Sequence, residues 1–169
     1  MGKGGLLRQW LDKGNNELRS AEYLATMHSP TPDEVICYLC QQAAEKYLKG
    51  FLFLNDIEPP KTHDLNELLS MCAEKNGDFS ELSARMSVLK THAIMPRYPN
   101  ELAITGENMK MAIRYSKDMQ EFVLGVISGM QDKALSDACD SETVANGRSY
   151  SLSIDMTNFT FDRNEVNER

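Results

Sequence analysis

The sequence predicts an all-α fold, an up-and-down antiparallel bundle of four to five helices. Apolar residues recur at spacings of three and four from Leu6 to Met130. Capping residues and prolines break that pattern into helix-length segments, and strict period-two alternation appears only after Ser149. At 169 residues the chain suits one globular domain with a real core and is short for two.

The first helix is expected over Leu6 to Met27, with Leu7, Trp10, Leu18, Ala21, Leu24 and Ala25 on one stripe. Gly14 inside it costs about 1 kcal/mol relative to Ala, and Ser29-Pro30 ends it. In the second, Thr31 is the expected N-cap, Pro32 the first helical residue and Glu34 the partner in a capping box. It runs to about Asn55, before Pro59-Pro60 forbids continuation. A third helix begins near Asp64, carries Leu65, Leu68, Leu69 and Cys72, and stops near Gly77. The fourth, from Ser80 to about His92, uses Leu82, Met86 and Leu89.

Pro96 and Pro99 bracket an irregular loop holding Arg97 and Tyr98. The last long helix, capped by Thr105 with Asn108 reaching back, is expected to end near Met130. Its apolar stripe from Met109 to Met130 exceeds what one small bundle needs, which points to dimerisation through the long helices. Residues 1–130 form the expected bundle, and residues 131–169 an acidic polar linker and accessory tail. Within the tail, Tyr150, Leu152, Ile154 and Met156, then Phe159 and Phe161, alternate as in a strand or short β-hairpin.

Charge restricts the function classes. The net charge of −7 argues against a protein that coats nucleic acid with its whole surface. Residues 1–130 hold 14 Lys/Arg against 17 Asp/Glu, whereas residues 131–169 hold 4 against 8, so a local basic cleft remains open to the helical part. No stretch approaches the length of about 20 apolar residues that a membrane helix needs, and the N-terminus lacks a signal-peptide core, so the expected location is the cytoplasm. Cys37 and Cys40 have the spacing of half a zinc site, but no second pair completes it. They read as small hydrophobes on one helix face, with no metal and no cofactor expected. Gly-rich phosphate loops and Ser/His/Asp orders are absent from the sequence.

The residues that carry chemistry lie in three places. Gln42, Glu45, Lys46 and Lys49 stand three and four apart on the second helix and share neighbouring surface. Two readings fit: Gln42 and Glu45 as structural partners beside solvated lysines, or Lys46 and Lys49 lending positive charge to a phosphate-binding cleft. His63, just before a helix start, fits a hydrogen-bonding brace between loop and helix or an acid–base group. Arg97, between two prolines, can present its guanidinium fork to phosphate.

The run Gln41-Gln42-Ala43-Ala44-Glu45-Lys46-Tyr47-Leu48-Lys49-Gly50, followed by Thr62-His63-Asp64-Leu65 and by Arg97-Tyr98-Pro99, resembles the HEPN domain over Leu6 to Met130. The resemblance implies a small dimeric helical bundle that handles nucleotides or RNA. Its ligand-binding candidates here are Lys46, Lys49, His63, Arg97 and Tyr98. Ribonuclease members carry an Arg followed four to six residues later by His, and they act without metal. After Arg97, residues Tyr98 to Ile104 include no histidine, whereas Arg85 and His92 meet the spacing one helix earlier. The catalytic candidates of a metal-independent endoribonuclease are therefore Arg97 or Arg85 with His63 or His92. The Arg-Tyr-Pro form resembles the stand-alone HEPN proteins often found beside a minimal nucleotidyltransferase. That implies one component of a toxin–antitoxin-like pair; a non-catalytic dimer that positions a protein partner is the third reading.

Overall fold

The computed structural model describes residues 3–27, 30–94 and 104–141. Five α-helices form the described fold: α1 (Lys3–Ala25), α2 (Asp33–Leu54), α3 (Leu65–Ala73), α4 (Ser83–Ile94) and α5 (Gly106–Ser141), with a 3-10 segment at Gly77–Leu82. No strand occurs among the described residues. The expected hairpin at Tyr150 to Phe161 and the loop with Arg97 and Tyr98 lie outside them.

α2 is the central helix and packs against α1, α3, α4 and α5. Its sequence explains why. From Ala43 to Leu52 every residue except Lys46 is buried, so the helix offers apolar surface on nearly all sides.

α1 buries Leu7, Leu11, Leu18 and Ala21, a row that with Gly14 advances by alternating fours and threes. Gly14 is no mere helix defect. A Cβ added there would lie 2.9 Å from Cε1 of the Tyr47 ring, so only glycine lets α1 and α2 approach this closely. Gly50 of α2 makes the reciprocal contact, with Trp10 Cβ 3.3 Å from where its own Cβ would stand. Residues 14 and 10 thus face 47 and 50, which makes α1 and α2 antiparallel. The Tyr47 hydroxyl donates to Asn15 Oδ1 at 2.7 Å, and Gln120 Nε2 of α5 donates to the same oxygen at 2.7 Å. Ser116 Oγ donates to the Cys40 carbonyl at 3.1 Å. α5 therefore lies across both helices, parallel to α2 and antiparallel to α1.

The caps divide between those the sequence foretells and one it does not. Asp64 caps α3 by accepting from Asn66 N at 2.9 Å. Thr105 and Asn108 form the expected box, with Asn108 N donating to Thr105 Oγ1 at 3.3 Å and Thr105 N to Asn108 Oδ1 at 3.0 Å. The Thr31–Glu34 box is a correction. Pro32 itself occupies the N-cap of α2, without a side-chain cap bond, and the Thr31 hydroxyl donates to the Asp33 carboxylate instead. α2 ends with Asp56 at φ 59° and Ile57 N donating back to Leu52 O at 3.0 Å, which satisfies a terminal carbonyl.

The fourth element also differs from expectation. Gly77–Leu82 is a 3-10 turn capped by Asn76, and α4 proper starts at Ser83. Phe79 from that turn stacks between Phe51 of α2 and Phe122 of α5, at centroid distances of 4.4 and 4.9 Å.

α5 extends to Ser141, eleven residues past Met130, so the polar stretch that begins at Asp132 is helical at first. Its stripe of Met109, Ala112, Met119, Val123 and Ile127 is buried within the chain's own core. The supposed excess of apolar surface on this helix is therefore a correction: α2, α1 and α4 cover it, and only Met111 and Met130 stand out as exposed large hydrophobics among its described residues.

Candidate functional site

One row of α2, Gln41, Glu45 and Lys49, repeats every four residues and so lies on a single face. These are three of the four buried polar or charged side chains among the described residues; the other is Ser116. Glu45 is 1% exposed and Lys49 6%. Such burial is costly unless each group is paired and hydrogen-bonded.

The pairing is complete. Glu45 Oε1 accepts from Lys49 Nζ at 2.8 Å, and Glu45 Oε2 lies 3.0 Å from His63 Nδ1. Lys46 Nζ stands 3.5 Å from Glu45 Oε1 and donates to Gln42 Oε1 at 3.0 Å. Gln42 Nε2 donates to Gln41 Oε1 at 2.8 Å, and Gln41 Nε2 donates to the His63 carbonyl at 3.2 Å. A continuous network therefore joins α2 to the segment before α3.

Burial alone would raise the Glu45 pKa, but hydrogen bonds from Lys49 and His63, with the charges of Lys46 and Lys49, hold it below the ordinary carboxylate range. Glu45 is ionised and accepts only. The hydrogen between Glu45 Oε2 and His63 therefore resides on Nδ1. The His63 side chain is 76% exposed, so a surface imidazole is fixed by a buried carboxylate.

A second carboxylate borders the cluster. Glu17 of α1 has an Oε2 that is buried without a hydrogen-bond partner. Burial raises its pKa first, Glu45 adds to the rise, and Lys46 and Lys13 offset it. On the other side of His63, Asp64 binds Lys90 of α4 and Asn66 accepts from Ser87 Oγ at 3.2 Å. The hydrogen bond from Lys90 dominates in holding the Asp64 pKa low. These contacts tie the His63 segment to α4.

Of the residues expected from sequence, Lys46, Lys49 and His63 come together around Glu45. Neither lysine is solvated, contrary to one of the two expectations: their side chains are 15% and 7% exposed. The reason is Glu45, which offers both ammonium groups a buried counter-charge. Arg85 does not join the cluster; its Nε pairs with Asp118 Oδ2 of α5 at 3.4 Å. His92 lies on α4 with its side chain outside the described set, and Arg97 and Tyr98 lie outside it altogether.

Sequence reasoning undervalued Glu45 and Gln41, whose four-residue spacing with Lys49 was the available signal. It missed the Asn15–Tyr47–Gln120 triangle, which brings together residues 32 and 105 positions apart. Cys37, Cys40 and Cys72 are free and buried. Burial pushes the Cys37 and Cys72 thiols up to about 11 and 12, and Cys40 higher still, so all three behave as small hydrophobes.

The family model for the HEPN domain matches residues 7–126. None of the curated proteins matches the sequence. Among solved structures, TT1696 from Thermus thermophilus is 25% identical, with a TM-score of 0.60 over 70% of this chain and 96% of that one. ST0689, described as an archaeal HEPN homologue, is 23% identical, with a TM-score of 0.56 over 72% of this chain and 97% of that one.

Proposed function

This chain belongs to the HEPN domain family, and from that premise we propose that it binds a nucleotide or RNA at the Lys46–Glu45–Lys49–His63 cluster. In this reading it is a cytoplasmic homodimer and one component of a toxin–antitoxin-like pair with a nucleotidyltransferase.

The observation that carries the binding reading is the fully paired, buried Glu45–Lys49 pair with an exposed imidazole hung from it. A pair built only for stability would be replaced by apolar packing at little or no cost. Here it positions a hydrogen-bonding ring at the surface. Two lysines against one carboxylate leave the Glu45 cluster with a positive charge, and exposed Lys61 adds another two residues before His63. A phosphate-bearing ligand suits that balance.

No described helix is long and apolar enough to cross a membrane. For the homodimer, the exposed side chains that favour a partner are Tyr23 and Met27, at the end of α1, with Val35 and Tyr38 at the start of α2. The antiparallel hairpin brings these two helix ends together.

Fluorescence anisotropy with labelled single-stranded RNA and with labelled nucleoside triphosphates tests the binding reading. Saturable binding that weakens several-fold in Lys46→Ala supports it. A flat titration for every ligand, with the protein folded, contradicts it. Incubation with total RNA in the presence of a chelator tests metal-independent cleavage, which the carboxylate-oriented His63 favours as a second reading.

A further inference from the structure

His63 has two ring nitrogens with different tasks. Nδ1 is committed to Glu45 Oε2 at 3.0 Å, and the carboxylate, being ionised, requires that Nδ1 carry the hydrogen. In the neutral ring, Nε2 is then a bare lone pair, an acceptor and not a donor. The second hold on this segment, from Gln41 Nε2 to the His63 carbonyl, limits rearrangement of the backbone beneath the ring.

The charged groups around it reinforce this division. Lys49 and Lys46 neutralise Glu45 from the α2 side. Asp64, the next residue, is engaged by Lys90 of α4 and by the first turn of α3. The exposed acceptor thus stands beside ammonium groups that attract phosphate, yet it cannot itself donate to a phosphate oxygen.

We infer that His63 Nε2 accepts a hydrogen bond from a ribose hydroxyl, and that the Glu45–His63 pair makes the site select ribonucleotide over deoxyribonucleotide ligands. This rests on the binding reading above and deepens it. The 2′-hydroxyl is a donor that DNA lacks at every residue, and a hydroxyl beside a phosphate is what an acceptor among lysines is placed to meet. Glu45 does not touch the ligand; it is a positioning residue that sets the tautomer of His63.

The test compares a fluorescein-labelled oligouridylate with the oligodeoxyuridylate of the same length and label, by anisotropy in buffer of about pH 8, on the neutral side of the imidazole reference value. Wild-type protein should bind the ribo strand about three- to tenfold more tightly, the range one neutral hydrogen bond supports. In His63→Phe, which keeps a ring but has no lone pair, the ratio of the two dissociation constants should fall towards unity. Equal binding of both strands by wild type overturns this inference while leaving the binding reading intact, and it needs no variant. Selectivity that survives in His63→Phe also overturns it. Failure of both strands to bind overturns the binding reading itself.

Discussion

His63 Nδ1 lies 3.0 Å from Glu45 Oε2, so a ring that is largely in solvent is oriented by a carboxylate that is almost wholly out of it. The two residues are 18 positions apart and belong to different elements. Their contact turns a helix face and a loop into one site, and several measurable consequences follow from how it is held.

Removing one partner of the buried pair should cost far more than removing both. Lys49→Met leaves the Glu45 carboxylate buried without its strongest donor, and should destabilise the fold by about 3–5 kcal/mol. The double variant Glu45→Leu with Lys49→Met should recover a large part of that loss. Urea denaturation of the set checks this; equal losses in single and double variants would show that the pair is not coupled.

The same pair fixes a pH dependence. The folded pKa of Glu45 is lowered, so its stabilisation is fully present above the reference value of 4.5 and is lost as pH falls through the lower folded value. The wild-type melting temperature should therefore fall in that acid window, and Glu45→Gln should flatten that part of the profile. An unchanged acid limb in the variant would assign the loss to other groups.

Glu17 should behave in the opposite sense. Its folded pKa is raised, mainly by burial, so at neutral pH its charge works against the fold. Glu17→Gln is expected to raise the melting temperature at pH 7, and the advantage should vanish below about pH 4.5, where the carboxyl is protonated in both states. A neutral or destabilising Glu17→Gln at pH 7 would mean that the ionised carboxylate has a partner.

Helix propensity and packing make opposite forecasts at Gly14. Propensity alone makes Gly14→Ala stabilising by about 1 kcal/mol. The added methyl would stand 2.9 and 3.1 Å from carbons of the fully buried Tyr47 ring, whose hydroxyl is also held by Asn15. Overpacking of this kind costs about 1–3 kcal/mol, so the net change in thermal melts should be destabilising.

These residues also show where the sequence was legible. The caps at Asp64 and Thr105 were readable because their partners lie two or three residues away. The central position of α2 was foreshadowed by its apolar content. Gly14 read as a cost because its reason, the Tyr47 ring, lies on another helix. Thr31 misled because its hydroxyl had two local acceptor choices, and Asp33 took it. The helical continuation to Ser141 was hidden because residues beyond Met130 carry no apolar stripe, the main periodic signal. At the site, the i, i+4 row of Gln41, Glu45 and Lys49 was visible, but its burial depends on α3, α4 and α5 packing around α2. Arg85 shows the limit of spacing rules: it fits a motif and is engaged with Asp118.

The proposed homodimer is checked by sedimentation. Wild-type protein should sediment as a dimer at micromolar concentration, and Tyr23→Glu combined with Tyr38→Glu should yield a folded monomer. Both side chains are exposed, at 74% and 43%, so neither change disturbs the core. A wild-type monomer removes the dimer from the account.

The central claim is that ligand meets the protein at the Glu45 cluster. The most direct measurement is a nuclear magnetic resonance titration of the full chain, isotopically labelled, with a short oligouridylate. The account predicts that the largest chemical-shift changes fall on the His63 ring, the Lys46 side chain and the Gln42 amide, with saturation at a common affinity. Saturating shifts centred elsewhere, with His63 and Lys46 unmoved, would contradict it.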